Sequence, residues 1–521
     1  MRREVLTWAG VAGLALVSAA ARARGLDGSF WIDEGLSAGI ADHPLRDIPA
    51  VLRQDGSPPL YYLLLHVWMG LLGDGEVQIR VLSLLAATAM VPVAFWAGRA
   101  LAGTRAGWAA AALTAVNPFI AVYAVEGRMY ALVMLLALGA TACLLLGLAH
   151  GRRALVPVGA ALLVLALYTH NWALHLALAL ALAAPLAVRA APDRRRAARD
   201  ALLAAAAVVA AYLPWVPTLI GQARETGAPW SSVPGPADLL SVVSVPAGGT
   251  LTVLVLLAAC APGAVRAVRA GGRARADLLV LAVVVATVPL VAWLAAQVSP
   301  NWANRYFSVL VGPLVLLAAV AAARTPVAGM VAGAVVLVAW ALVPPPGPRS
   351  NVAEVAAAVG PLLRPGDTVV VTHPEQIAVL RHALPEGLRW WTALGPAPDP
   401  RVFDWRQATD RLRAADPVAG ARAVVAGAPP GGRVLVVGPD LDDPGAWRSP
   451  WTSLVRTRAE GWDAALRGDP RLVPMARAPL PGAATPGASV RATLWRIGAP
   501  SGRTVPATGS SGARSGEVRR P

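Results

Sequence analysis

The sequence predicts a polytopic, all-α membrane domain followed by a small α/β domain on the external side of the bilayer. Three observations carry this reading. Of the 521 residues, 56% are hydrophobic and 15% charged, a balance too apolar for a soluble chain of this length. Apolar runs of a length that spans a bilayer, about 17 to 25 residues at 1.5 Å rise, recur through the first two thirds of the chain. After residue 343 those runs stop and short strand-like stretches take over.

Eleven such runs fall near residues 5–21, 79–98, 107–124, 129–149, 154–169, 171–188, 201–219, 247–265, 277–297, 306–323 and 326–343. The first has the basic start and small residues of a cleavable signal peptide, but a retained helix is favoured, because later spans make a removable one redundant and cleavage would detach the segment carrying Asp33. A twelfth stretch, "PPLYYLLLHVWMGLLG" at 58–73, is short, opens on two prolines and is rich in Tyr and Trp, so it is expected to lie in the interface. Charge supports this. The net charge of +16 is carried by Arg, since the chain has no Lys. With a cytoplasmic N-terminus and 58–73 not crossing, Arg99, Arg105, Arg152, Arg153, Arg194, Arg195, Arg196, Arg266, Arg269, Arg273 and Arg324 all fall on the inner side, as the positive-inside rule demands. Letting 58–73 span would invert every later loop. The segments "WIDEG", "QDGSPP", "YAVEGRMY", "YTHNW" and "NWANRYF" then all emerge on the external face.

The chain divides into a membrane region over 1–345, an external α/β domain over 346–498 and a disordered tail over 499–521, with "VPPPGPRS" as the hinge. Strands are expected at 367–374, 432–440 and 489–498, with a helix in "DWRQATDRLRAA". No Gly-rich phosphate loop sits at a strand-to-helix turn there. Cys143 and Cys260 lie inside apolar runs and read as packing residues. No basic, aromatic-interleaved surface marks a nucleic-acid partner.

An ionisable residue beside a membrane span is a functional candidate, although an interfacial acid can simply be solvated. Asp33 and Glu34 are such a pair. Asp55 follows in the same external loop, and Glu126 sits at the next external mouth with Arg128 and Tyr130 two and four residues on. Several acids and an arginine on one face match the needs of group transfer: a carboxylate to take a proton, others for a metal or sugar hydroxyls, and a cation for a phosphate leaving group. His170 at a helix end is equally an interfacial packing residue or a site member, and Arg305 beside Tyr306 either snorkels or binds phosphate. No HExxH or Cys–His ligand spacing occurs, so a metal, if used, would be a hard, oxygen-bound divalent cation.

Taken in order, the Asp–Glu pair after the first helix, "PPLYYLLLHVW", "EGRMYAL", "YTHNWAL" and the late "NRYF" resemble the GT-C superfamily of integral-membrane glycosyltransferases, nearest the bacterial group related to protein O-mannosyltransferases and to the transferase that adds aminoarabinose to lipid A. The resemblance covers about residues 1–345. It implies transfer of a sugar, mannose or a relative, from a polyprenyl-phosphate donor to a glycan, lipid or protein acceptor at the outer face of the cell membrane, with inversion. By position it implies Asp33 as general base with Glu34 orienting, Arg128, Arg305 and His170 at the donor phosphate, and Asp55, Glu126, Tyr130 and Tyr306 at substrate or metal. Some relatives carry Lys or His just before the "PP", where this chain has Ser57. A flippase or transporter of lipid-linked sugars is the competing class; it needs charges at mid-membrane depth, reachable from both sides.

Overall fold

A computed structural model describes residues 2–342, 349–442, 444–478 and 488–498. The expected tail and most of the proline hinge lie outside those residues. The helical region begins with α1 (Arg2–Ala23), followed by three short helices, α2 (Ile32–Ala41), α3 (Ile48–Asp55) and α4 (Leu60–Leu72). It continues through α5 (Glu76–Ala102), α6 (Thr104–Val116), α7 (Pro118–Ala124), α8 (Tyr130–Ala149), α9 (Leu155–Leu167), α10 (Ala173–Ala190), α11 (Arg194–Tyr212) and α12 (Val216–Glu225). Two short helices, α13 (Pro236–Ser241) and α14 (Ser244–Ala247), precede α15 (Thr250–Ala270), α16 (Gly272–Val298), α17 (Ser308–Ala322) and α18 (Pro326–Ala341).

Among the described residues, eight helical segments are long and apolar enough to cross a membrane, and nine if the bent pair α6–α7 counts as one span. The expected straight span over 107–124 is therefore broken, by 55°. Pro118 has no N–H to donate to the carbonyl of Thr114, which would leave a buried acceptor. Arg22 supplies the missing donors, with Nη2 2.7 Å from the Thr114 carbonyl and 3.0 Å from that of Ala115, and the Ser18 hydroxyl donates to Ala115 at 2.7 Å. Asn117 caps the second half by accepting from Ile120 N–H. Two more expected spans, 154–169 and 326–343, are shorter apolar helices of 13 and 16 residues, α9 and α18. The run at 201–219 extends through a 3₁₀ turn at Leu213–Trp215 to Glu225, so the following loop starts later than the sequence implied.

One end of the bundle gathers α2–α4 with the starts of α5, α8 and α10. There Leu60 N–H donates to the Tyr168 carbonyl, Asn171 to Gly56, and Gln222 to Leu52. The opposite end carries ion pairs between Arg99 and Glu4, Arg153 and Asp200, and His150 and Asp277.

Past the hinge, α19 (Val352–Val359) and α20 (Ile377–Ala383) pack with a six-stranded sheet. Its strands are β1 (Thr368–Val371), β2 (Arg389–Thr392), β3 (Gly395–Pro396), β4 (Arg433–Pro439), β5 (Leu472–Arg477) and β6 (Val490–Ile497), in the order β3-β2-β1-β4-β6-β5. The centre is parallel, β2-β1-β4, while β3, β6 and β5 add antiparallel. "TVVV" in β1 is buried throughout, as a central parallel strand requires. The sequence missed β2, β3 and β5; β5 holds Pro474 and sits at the sheet edge, the place where a residue without an N–H is tolerated.

The sheet domain rests on α2. Gly35 and Gly39, four residues apart on one helix face, leave room for it: a Cβ at Gly35 would stand 2.6 Å from the backbone nitrogen of Val379 in α20, and one at Gly39 would collide with the Arg401 carbonyl. The contact is secured by His43 with Asp399 at 2.7 Å, by Trp405 N–H to the Gln54 carbonyl and by Gln407 N–H to that of Glu225.

Candidate active site

The two adjacent carboxylates of α2 meet different surroundings. Successive residues on a helix point about 100° apart, and Glu34 faces inward, 2% exposed. Arg80, in the second turn of α5, clasps it in a two-pronged pair, Nε to Oε1 at 2.7 Å and Nη2 to Oε2 at 2.6 Å. The remaining guanidinium protons go to the carbonyls of Leu26, Gly28 and Ser29. Gly127 N–H completes the carboxylate at 2.8 Å. Both oxygens of Glu34 are thus engaged, and the residue ties α2, α5 and the 126–128 segment together. Arg80 is absent from the expected site because a lone charge at the start of an apolar run reads as a helix-end anchor.

Asp33 faces the other way. Its Oδ2 lies 3.7 Å from Arg305 Nη2, and that oxygen has no hydrogen-bond partner in the protein. Arg305 lies against both Trp230 and Tyr306, its guanidinium carbon 4.7 and 5.5 Å from the ring centres, which fixes the planar group while Nε stays unpartnered. Arg128 approaches from below: its Nη1 donates to the Asp33 carbonyl, the Ser37 hydroxyl and the Tyr62 hydroxyl at 3.0–3.3 Å. Two guanidinium groups thus flank Asp33.

Asp55 lies within electrostatic reach of Arg128 and Asp33. Burial raises its carboxyl above the ordinary aspartate range, opposed by the Arg128 charge and by hydrogen bonds from Ser57 and Tyr62. Glu126 is 2% exposed, and its Oε2 accepts from Arg349 at 2.6 Å. Burial pushes it up to about 6 in spite of Arg349. Arg349, which emerges from the proline hinge and also stacks 5.0 Å from the Trp31 ring, is a second residue that sequence reasoning passed over; one arginine after a run of prolines carries no local signal.

A resident metal fits this donor set poorly. Among the described residues no three His, Cys, Asp or Glu side chains converge. Of the two acids expected as ligands, Glu126 gives Oε2 to Arg349, while its Oε1 and Asp55 Oδ2 stay unpartnered with no third ligand beside them among the described residues.

Beside Arg128 opens a cavity of about 250 Å³. Tyr130, His170 and Tyr306 stack along its wall, with ring centres 5.8 and 4.9 Å apart, and Trp172 lies 5.3 Å from Tyr306. Burial, aided by Arg128 and Arg305, pushes His170 down to about 3, so this imidazole is neutral and contributes hydrogen bonds and not charge. Of the residues named from sequence, Arg128 and Arg305 both reach Asp33, Asp55 lies within electrostatic reach of them, Tyr130, His170 and Tyr306 line the cavity beside Arg128, and Glu34 and Glu126 are held by Arg80 and Arg349.

No protein-family profile matches the sequence, and no curated protein matches it. Solved structures do. ArnT from Cupriavidus metallidurans in the apo state aligns over 94% of this chain and 97% of its own, at 15% identity and a TM-score of 0.55. The same protein bound to undecaprenyl phosphate aligns over the same shares with 15% identity and a TM-score of 0.56. The chain has the GT-C fold. That GT-C likeness runs through the sheet domain as well as the helices, since it covers nearly the whole of both chains. An oligosaccharyltransferase from Archaeoglobus fulgidus, solved with zinc and sulfate, aligns over 81% of this chain and 67% of its own at 9% identity, with a TM-score of 0.46, too distant to carry an argument.

Proposed function

We propose that the protein is a glycosyltransferase of the cell membrane that moves a sugar, mannose or a close relative, from a polyprenyl-phosphate carrier to an acceptor at the external face, with inversion at the anomeric carbon. The observation that carries this reading is Asp33: a largely buried carboxylate with one oxygen free of hydrogen bonds, flanked by Arg305 and Arg128. Asp33 acts as general base. It takes the proton of the acceptor hydroxyl as that oxygen bonds to the anomeric carbon, while the bond from that carbon to the phosphate oxygen breaks and its electron pair leaves on the phosphate. Charge grows on the phosphate as the bond breaks, and Arg305, held by Trp230 and Tyr306, and Arg128, held by Ser37 and Tyr62, stabilise it without reorganising. A single displacement with Asp33 as base inverts the sugar carbon.

A structural neighbour solved with undecaprenyl phosphate supports a polyprenyl-phosphate donor. The acceptor is a glycan, lipid or protein, and the sheet domain over α2 stands on the external side, in keeping with the Arg distribution. A flippase would need charged groups at mid-depth, whereas here Asp33, Asp55, Arg128 and Arg305 gather at one end of the bundle. The test is single-turnover transfer from saturating polyprenyl-phosphate sugar by Asp33→Asn. The amide keeps size and removes the proton acceptor, so turnover should fall by about 10² to 10⁴ with donor binding retained. A folded variant that transfers at the parental rate would place the chemistry elsewhere.

A further inference from the structure

The sheet domain reaches toward the candidate site through Arg349, at the end of the proline hinge. Its Nη1 donates to Glu126 Oε2 at 2.6 Å, and its guanidinium carbon lies 5.0 Å from the centre of the Trp31 ring. Both contacts fall two residues ahead of a site residue, Trp31 before Asp33 and Glu126 before Arg128. The backbone carries each contact forward. Trp31 is the residue on which α2 begins, and its carbonyl accepts the N–H groups of Glu34 and Gly35 at 3.0 Å, so a hold on its ring is a hold on the start of the helix that bears Asp33. The Glu126 carbonyl accepts Arg128 N–H at 2.7 Å, a tight turn that ties those two residues together.

Arg349 is in turn fixed to the sheet. Asn351, 2% exposed, exchanges two hydrogen bonds of 2.8 Å with the backbone of Val490 in β6, its Nδ2 donating to the carbonyl and its Oδ1 accepting from the N–H. The Ser350 carbonyl accepts from the Ser29 hydroxyl at 3.2 Å. A continuous set of contacts therefore runs from β6 to both site segments. Anchoring the domain does not require it: Gly35 and Gly39 pack on Val379 and Arg401, His43 pairs with Asp399, and Trp405 and Gln407 donate to the carbonyls of Gln54 and Glu225. What Arg349 adds to these is a charge at Glu126. Glu126 Oε1 has no partner, so among the described residues Arg349 alone satisfies the side chain of that buried acid.

Building on the proposed function, we infer that Arg349 is a positioning residue through which the docked sheet domain sets the geometry of Asp33 and Arg128, so that transfer depends on a domain holding none of the reacting groups. With Arg349 in place, the start of α2 and the 126–128 turn are pinned to one guanidinium. Without it, Glu126 is a buried carboxylate stripped of its partner, and both segments lose a common support. A shift of about 1 Å at a reacting group can cost about 10²-fold in rate.

The experiment is single-turnover transfer from saturating polyprenyl-phosphate sugar by the full-length Arg349→Met protein, with binding of bare polyprenyl phosphate and hydrogen exchange measured on the same preparation. The rate should fall about tenfold or more with binding unchanged, and exchange should quicken over 31–37 and 126–130 while α20 keeps its parental protection. Arg349→Lys, which restores the charge, should recover part of the rate. Glu126→Gln should cause a similar loss, and the double variant should be no slower than the slower single one, because both remove the same pair. Burial pushes Glu126 up to about 6, so the parental rate should fall as acid protonates it and releases Arg349, a limb that Arg349→Met should lack. A parental rate in folded Arg349→Met, losses that add in full, weakened binding of the bare phosphate, or the same acid limb in both proteins would each overturn the positioning role and leave Asp33 as the base. A parental rate in Asp33→Asn would instead remove the proposed function, and this inference with it.

Discussion

The two ends of the helical bundle are both rich in arginine, and they use it in opposite ways. At the end away from the sheet domain, Arg99 with Glu4 and Arg153 with Asp200 form surface pairs in which at least one partner is well exposed, and hydration screens them. At the other end Arg80 with Glu34 is 5% and 2% exposed, and Arg128 is buried. The difference teaches what burial does to a charge. A surface arginine serves orientation in the membrane and little else, whereas a buried one must be matched atom by atom, and wherever the match is incomplete, as at Asp33 and Arg305, an unspent group remains for a substrate.

The comparison breaks most visibly at Arg80. Arg80→Met would leave Glu34 buried without its partner, a change that typically costs about 3 to 5 kcal/mol. The variant should unfold at a clearly lower temperature in detergent, and Arg80→Met with Glu34→Gln should recover part of the loss. A single variant as stable as the parent would mean that this pair does not hold the site together. Next comes Arg305. Its replacement by Ala should lower single-turnover transfer by about 10² or more, and by Lys somewhat less, since a point charge lacks the two-pronged fork. Parental rates in Arg305→Ala would remove the phosphate role.

Smaller and dependent on pH is the effect of Glu126. Its value in the folded protein, about 6, lies above the ordinary 4.5, so the stability it contributes is present in full below pH 4.5 and is lost as pH rises through about 6. The loss amounts to about 2 kcal/mol at neutral pH. Thermal unfolding between pH 4.5 and 7 should show this decline in the parent and a flatter profile in Glu126→Gln; identical slopes would contradict it. Smallest of all, Arg153→Ala at the far end should leave the unfolding temperature unchanged, and a large drop there would erase the contrast between the two ends.

Much of this was legible in the sequence. Most span positions, the short apolar helix at 60–72 and the gathering of the polar motifs at one end of the bundle follow from hydropathy and Arg placement, which are sums over many residues and tolerate local error. The break at Pro118 was legible in principle, because Asn117 and Pro118 spell a cap and a helix start, but a hydropathy count runs straight through them. β3 has only two residues, and β5 is mostly exposed around Pro474, so neither shows a buried apolar period.

What the sequence by itself determined is therefore the helical membrane architecture and the set of candidate residues: carboxylates, arginines and aromatic rings in the segments between helices. Which of two neighbouring carboxylates is free was decided only by the tertiary structure. Asp33 and Glu34 are chemically alike and adjacent, yet Arg80, 46 residues further on, pairs with both oxygens of Glu34, while the Asp33 carboxylate is met by the arginine at position 305, which stops at 3.7 Å. The physical reason is that a carboxylate's role depends on which donors reach it in space, and those donors come from parts of the chain that no local pattern connects.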